Sequence, residues 1–346
     1  MTTTQRLDND ETRDDEWAGP ARFLPPVDPV VSPDGSRHYA GVTYAVAFGY
    51  RPLQLDLWVP AGAERPPLVV WIHGGGWMFG DRRILPETLR PGQIFDELLA
   101  AGLAVATIDY RHALEAPFPA QLHDAKAAVR YLRAYADELG IGTSRVAVAG
   151  ESAGGHLAAL VGLTAHRSDL EGSHGVVGPS SAVDAVLDWY GVADLSTMPR
   201  MQPPPEVLAK LPEELRTPPE DQIVRGLDDR GRADASPITH VTADAPPFLL
   251  VHGTADWLVP YAQSEALAAA LTASGVPARL VPVDGAGHIF TGCADVDAVV
   301  RLSVDHLAEA LLDTRAYGAS SRDVGDSLAL ARRGPRQGRC SRRPGR

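Results

Sequence analysis

Short apolar segments alternate along the chain with longer segments of helical spacing. Apolar segments of strand length are predicted at 42–48, 53–59, 68–73, 103–110, 145–150, 182–190, 247–252 and 279–283. Helical spacing is predicted at 93–101, 119–139, 153–165, 262–274 and 295–312. Apolar strands that alternate with helices form parallel sheets covered on both faces, so the pattern predicts an α/β fold with a mostly parallel central sheet.

Three segments lie outside this alternation. Residues 1–40 are polar and acidic, and we predict an amino-terminal arm or cap segment there. Residues 192–245 contain two proline runs and many charges, and their length predicts a lid or cap inserted into the main domain, which spans 41–314. Residues 315–346 hold nine arginines and have almost no apolar content after position 330, which predicts a disordered tail.

Composition and charge narrow the class of protein. The net charge is −12 although the tail is basic, so the rest of the chain is strongly acidic. Such an acidic surface repels nucleic acid and anionic membranes. No apolar run approaches 18 residues and the first residues have no apolar core, so we expect neither a membrane-spanning helix nor a secretory signal. Two cysteines, Cys293 and Cys340, are too few for a disulfide scaffold or a cysteine-built metal site. These features favour a cytoplasmic protein of undetermined oligomeric state.

The motif GESAG at 150–154 carries the strongest chemical signal. It follows a predicted strand and precedes a predicted helix, where a tight turn exposes the hydroxyl of Ser152 above the sheet and small flanking residues permit the turn. The helix amino terminus also favours negative charge nearby. The motif therefore predicts a nucleophilic serine.

A second motif, HGGGW at 73–77, directly follows another predicted strand. Glycines there allow backbone N–H groups to approach a substrate oxygen without a side-chain clash. A phosphate-binding loop is the alternative, but the spacings of the known phosphate motifs are absent from the sequence. We interpret His73 as a structural residue of this loop.

A nucleophilic serine requires a base that is oriented by an acid. Asp256 and His288 each follow a predicted strand late in the chain, in the order that α/β-hydrolases use after the serine. Asp194 is an alternative acid, whereas we interpret Asp284 as a turn residue. Three other histidines are interpreted as structural, namely His156, His252 and His306.

Together these segments resemble the α/β-hydrolase esterases, in particular the hormone-sensitive-lipase-like group and related bacterial lipase- and esterase-like proteins of feruloyl- and acetyl-esterase type. The matching segments are HGGGW (73–77), DYR (109–111), APFPA (116–120), GESAGGH (150–156), HGTADWLVP (252–260) and GAGH (285–288). The resemblance implies Ser152 as the nucleophile, His288 as the base and Asp256 as the acid. It also implies an oxyanion hole formed by the N–H groups of Gly74, Gly75 and Ala153. The two cysteines have no metal-ligand spacing, and we expect neither a metal nor a cofactor.

Aromatic residues near these motifs bear on the substrate, which the resemblance implies is a small-molecule carboxylic ester. Four of them are candidates for a partly aromatic pocket, although they could equally pack against the lid: Trp77, Tyr110, Trp257 and Phe290. No long apolar lid helix is visible, which favours short- to medium-chain or aryl esters. An amidase of the arylformamidase type and a non-catalytic ligand receptor on the same fold are the alternatives.

Overall fold

A computed structural model describes residues 21–200, 209–210 and 212–312 of the chain. Within them the strands are β1 (Val30–Val31), β2 (Arg37–Ala45), β3 (Leu53–Val59), β4 (Pro67–Ile72), β5 (Ala104–Ile108), β6 (Gly142–Glu151), β7 (Ala185–Trp189), β8 (Phe248–Gly253) and β9 (Ala278–Val283). The α-helices are α1 (Gln93–Ala100), α2 (Ala120–Ala134), α3 (Ala136–Leu139), α4 (Ala153–Leu163), α5 (Pro219–Gln222), α6 (Asp229–Asp234), α7 (Ala262–Ala273) and α8 (Val296–Leu312).

These strands form one sheet in the order β1-β2-β3-β5-β4-β6-β7-β8-β9. Strands β1, β2 and β3 pair antiparallel, as do β3 and β5, and every pair from β5 to β9 along the sheet is parallel. The carboxyl ends of parallel strands meet at one edge of a sheet. The segments that follow β4, β5, β6, β8 and β9 therefore come together there, and these segments carry the predicted motifs.

Each central strand contributes to two hydrophobic cores, one on each face of the sheet. In β4, Leu68, Val70 and Ile72 face one core, whereas Val69 and Trp71 face the other. Helices α2, α4 and α7 cover the first face, and α1 and α8 cover the second. Burial on both faces explains why this strand is apolar at nearly every position rather than at every second one.

The predicted strands and helices agree with the structure, with ends that differ by a few residues. The prediction omitted β1 and began β2 five residues too late, because these residues lie in a polar, proline-containing stretch. The sheet therefore begins inside the segment interpreted as an arm. Phe23 lies against the body as well, with ring centroids 6.3 Å from Tyr131 and 6.2 Å from Tyr135.

The described part of the predicted lid contains α5, α6 and 3₁₀ turns at Glu213–Leu215 and Pro237–His240. It contacts the catalytic edge directly. A Cβ atom on Gly76 would lie 3.4 Å from Pro219 in α5, and the N–H of Phe118 donates to the carbonyl of Ile223 at 2.8 Å. Movement of this segment as a lid stays a prediction, and the predicted tail at 315–346 lies outside the described residues.

Candidate active site

Ser152 occupies the turn between β6 and α4. Its φ of 54° and ψ of −120° are strained for a residue with a side chain, and its N–H donates to the carbonyl of Trp189 at 2.8 Å. The turn requires a glycine on the helix side, because a Cβ atom on Gly154 would lie 2.0 Å from the carbonyl oxygen of Ile72. The local sequence thus holds Ser152 at the end of a buried strand, with its hydroxyl facing the loop after β9.

The structure brings His288 to this serine, from the loop after β9. The Ser152 hydroxyl lies 3.0 Å from His288 Nε2, within hydrogen-bond distance. The two residues after the histidine, Ile289 and Phe290, both have positive φ, which is unusual for a β-branched residue and for an aromatic one. The hydroxyl of Thr88 donates to the Ile289 carbonyl and holds this strained turn in place.

Asp256 completes the chain of hydrogen bonds, from the loop after β8. Its Oδ2 lies 2.7 Å from His288 Nδ1, and its Oδ1 accepts from the N–H groups of Leu258 and Val259. An N–H on Nδ1 leaves the lone pair of His288 Nε2 free to accept the serine proton. Burial opposes ionisation of the Asp256 carboxyl, but hydrogen bonds from His252 and His288 outweigh it and hold its pKa well below the usual range.

The alternative acids do not contact this histidine. The Oδ1 atom of Asp194 accepts from the N–H and the hydroxyl of Ser196, which makes it part of a local turn. Asp284 is exposed on the turn that precedes the histidine.

The backbone N–H groups near Ser152 differ in whether they are free to donate to a substrate oxygen. The N–H of Gly74 donates to the buried carboxylate of Glu151 at 2.6 Å, so the structure corrects its interpretation as an oxyanion donor. Within the described residues, the N–H groups of Gly75 and Ala153 have no acceptor. Gly75 has a φ of 106°, and a Cβ atom there would lie 2.2 Å from the Phe79 carbonyl oxygen, so this position requires glycine.

The DYR segment supports the glycine loop at both of its ends. The Tyr110 ring stacks on His73 at 4.4 Å, and its hydroxyl donates to the His73 carbonyl. Asp109 accepts from both the backbone and the side chain of Arg82, just beyond the loop. Burial lowers the pKa of His73 to about 4, so its imidazole is neutral at pH 7. His73 is structural, as the sequence indicated.

The four aromatic candidates are not brought together around the serine. Tyr110 and Phe290 are 0% and 1% exposed, so neither ring offers surface to a substrate. Trp77 is also buried, and its indole N–H donates to His156 Nδ1 at 3.1 Å. Trp257, by contrast, is exposed. These positions place Tyr110, Phe290 and Trp77 in the core, where their ring contacts are with residues outside the predicted lid.

Three residues around the site were not assigned to it from the sequence. Glu151 contacts the glycine loop, His252 contacts Asp256, and the buried ring of Tyr190 packs edge-on against His288 with centroids 4.9 Å apart. Each could have been found from its position in the sequence, because all three lie within one residue of the end of a strand at the catalytic edge.

Among the described residues, no group of three or more His, Cys, Asp or Glu side chains could hold a metal ion. Of the helices in that part of the chain, none combines the length and the apolar character needed to cross a bilayer.

Comparison with known proteins places this geometry in a family. Residues 55–271 match the BD-FAE family model, and residues 229–316 match a model of TAP-like proteins. The chain belongs to the BD-FAE family. Its sheet, its helices and its structural relatives are those of the α/β-hydrolase fold, as the motifs predicted.

Relatives of this BD-FAE member include two esterases of Mycobacterium tuberculosis. It is 34% identical to esterase LipC over 284 residues, which cover 80% of this chain and 65% of LipC. It is 31% identical to esterase LipQ over 311 residues, which cover 86% of this chain and 68% of LipQ. The chain thus spans about two thirds of the length of these relatives.

Solved structures of esterases share this fold. A truncated carbohydrate esterase from gut microbiota superposes with a TM-score of 0.63 and 29% identity, over 82% of this chain and all of that one. Propionate-bound esterase 2 of Thermogutta terrifontis superposes with a TM-score of 0.59 and 29% identity, over 78% of this chain and 93% of that one.

Proposed function

We propose that this protein is a serine carboxylesterase that hydrolyses short- to medium-chain or aryl carboxylic esters. The observation that carries the proposal is the continuous hydrogen-bond chain from the Ser152 hydroxyl through His288 to Asp256, with separations of 3.0 and 2.7 Å. Relatives named esterases support the same activity. The propionate bound to esterase 2 of T. terrifontis supports a preference for short acyl groups.

In the proposed mechanism, Ser152 attacks the ester carbonyl while His288 Nε2 takes its proton. The resulting oxyanion accepts hydrogen bonds from the N–H groups of Gly75 and Ala153, and the amino terminus of α4 adds favourable electrostatics. Asp256 stabilises the imidazolium, which then returns the proton to the leaving alcohol. In the second half of the reaction, water attacks the acyl-enzyme while His288 takes its proton. His288 then gives that proton to Ser152, and the carboxylic acid is released.

The test is hydrolysis of p-nitrophenyl esters from acetyl to dodecanoyl, with wild type and Ser152→Ala compared. We expect turnover to peak at short chains and to fall by about 10⁴–10⁶-fold in the variant, because the nucleophile is lost. Paraoxon should inactivate wild type and label Ser152, as it phosphorylates the esterase 2 relative. If folded wild type hydrolyses none of the esters faster than the variant does, the proposal is contradicted. Formyl-amide substrates would then test the amidase alternative.

A further inference from the structure

The side chain of Glu151 is a buried carboxyl group directly beside the nucleophile. It belongs to the last residue of β6, the residue is 6% exposed, and no lysine or arginine among the described residues pairs with it. Burial raises its pKa, and the N–H of Gly74 and the nearby His288 partly oppose that rise. A buried carboxyl group without a cationic partner is costly to the fold, so its presence at this position calls for a role.

The only hydrogen bond described for this carboxyl joins it to the glycine loop. Oε1 lies 2.6 Å from the Gly74 nitrogen, a short separation typical of a charged acceptor. The fit leaves no space for a side chain, because a Cβ atom on Gly74 would lie 2.2 Å from Oε1 and 2.6 Å from the carboxyl carbon. The contact therefore fixes the orientation of the peptide between His73 and Gly74.

That peptide precedes the N–H group on which the proposed oxyanion hole depends. The Gly75 N–H belongs to the next peptide, whose plane is set by the dihedrals of Gly74 and whose carbonyl oxygen lies 2.7 Å from His73 Nδ1. Tyr110 restrains the carbonyl side of the same loop, since its hydroxyl lies 3.1 and 3.3 Å from the carbonyl oxygens of His73 and Gly74. The N–H side of Gly74 is restrained by Glu151.

We propose that Glu151 is a positioning residue that aims the Gly75 N–H at the oxyanion by accepting the hydrogen bond of the Gly74 N–H. The inference rests on the proposed esterase function and adds a residue to it. In the glycine loop, the Gly75 N–H then donates to the oxyanion of the substrate, and the neighbouring Gly74 N–H holds the loop in position by donating to Glu151. Stabilisation of this kind acts on the transition state, where the oxyanion exists, and not on the bound ester.

Three substitutions separate the position of the acceptor from its charge. Glu151→Gln keeps an oxygen at the same reach and removes the charge. Glu151→Asp keeps the charge and shortens the side chain by one carbon, so it loses reach. Glu151→Met keeps the length and removes the acceptor.

We expect Glu151→Met and Glu151→Asp to lower kcat by about 10²-fold with KM within about twofold of wild type, as the loss of one oxyanion donor does. Glu151→Gln should retain kcat within about fivefold. The affinity of an aryl trifluoromethyl ketone, whose adduct with Ser152 places an oxyanion in the hole, should fall in parallel with kcat. Thermal unfolding shows which variants fold. If Glu151→Met does not fold, Glu151→Asp and Glu151→Gln still test the proposal.

A kcat within threefold of wild type in both folded Glu151→Met and Glu151→Asp would overturn the positioning role. So would a Glu151→Gln variant as slow as Glu151→Met, which would assign the effect to charge. Wild type and Ser152→Ala are measured in the same assay. A wild type no faster than Ser152→Ala overturns the esterase proposal itself, whereas an active wild type with unaffected Glu151 variants overturns only this inference.

Discussion

His252 Nε2 lies 3.4 Å from Oδ2 of Asp256, the same oxygen that lies 2.7 Å from Nδ1 of His288. His252 is fully buried, and its ring nitrogens also contact the hydroxyl of Ser264 at 2.7 Å and the carbonyl of Val259 at 2.9 Å. Since the N–H of Val259 donates to the other oxygen of Asp256, His252 and Asp256 together fix the loop that carries the acid.

This arrangement predicts that His252→Gln lowers kcat. A displaced Asp256 orients His288 less well, so we expect a loss on the order of tenfold, with KM little changed because no substrate contact is removed. Steady-state kinetics on p-nitrophenyl acetate measures both constants. His240→Gln is the control, because His240 is also buried and bonds to a carbonyl, that of Asp234, but lies in the predicted lid. Equal losses of kcat in the two variants would contradict the prediction.

A pair of buried tryptophans gives a test of the link between the glycine loop and helix α4. Trp77 donates to His156, whereas Nε1 of Trp71 has no partner among the described residues. Both residues are buried, at 3% and 1% exposure. Trp77→Phe removes ring volume and leaves His156 Nδ1 without its donor, while Trp71→Phe removes ring volume alone.

We therefore expect Trp77→Phe to lower the free energy of unfolding by about 1–3 kcal/mol more than Trp71→Phe does, the cost of an unsatisfied buried polar group. Urea unfolding monitored by circular dichroism measures both values. If Trp71→Phe is the more destabilised variant, the Trp77 hydrogen bond does not contribute as proposed.

His156 predicts a specific dependence of stability on pH. Burial lowers its pKa to about 4, although its hydrogen bond to the Ala235 carbonyl opposes this, and the unfolded value is about 6.5. The side chain is therefore neutral in the native state at a pH where the unfolded chain binds a proton. Its contribution to stability is complete above about pH 6.5 and is lost as the pH falls to about 4.

The measurement is urea unfolding of wild type and His156→Asn between pH 4.5 and 7. The wild-type free energy of unfolding should fall more steeply on acidification, by up to about 1.4 kcal/mol per pH unit. Other histidines with a lowered pKa, such as His73 and His306, are present in both proteins and cancel in the difference. Parallel curves over this range would show that His156 does not titrate as described.

Much of the fold could be predicted from the sequence because the central strands are buried on both faces. A strand such as β4, apolar at nearly every position and followed by glycines, is distinguishable from a helix by its length and its ending. The antiparallel edge was harder to predict. Val30 and Val31 of β1 are exposed, so no burial pattern marks them as a strand.

The hydrogen-bonded Ser152, His288 and Asp256 were predictable because each follows a strand, and the topology brings the ends of those strands together. Donor availability was not predictable, because whether Gly74 or Gly75 has a free N–H depends on where the Glu151 side chain lies. The pocket aromatics were misleading for a similar reason. Proximity in sequence to a catalytic segment does not say which side of the backbone a ring occupies, and Phe290 occupies the core side, against Trp189.

Asp109 and Tyr110, which directly follow β5, hold both ends of the loop that follows β4. One consecutive pair of residues thus ties together two neighbouring strand ends, so the loop is ordered when the sheet forms. The conformational entropy of its glycines is lost once, during folding, rather than at each encounter with a substrate.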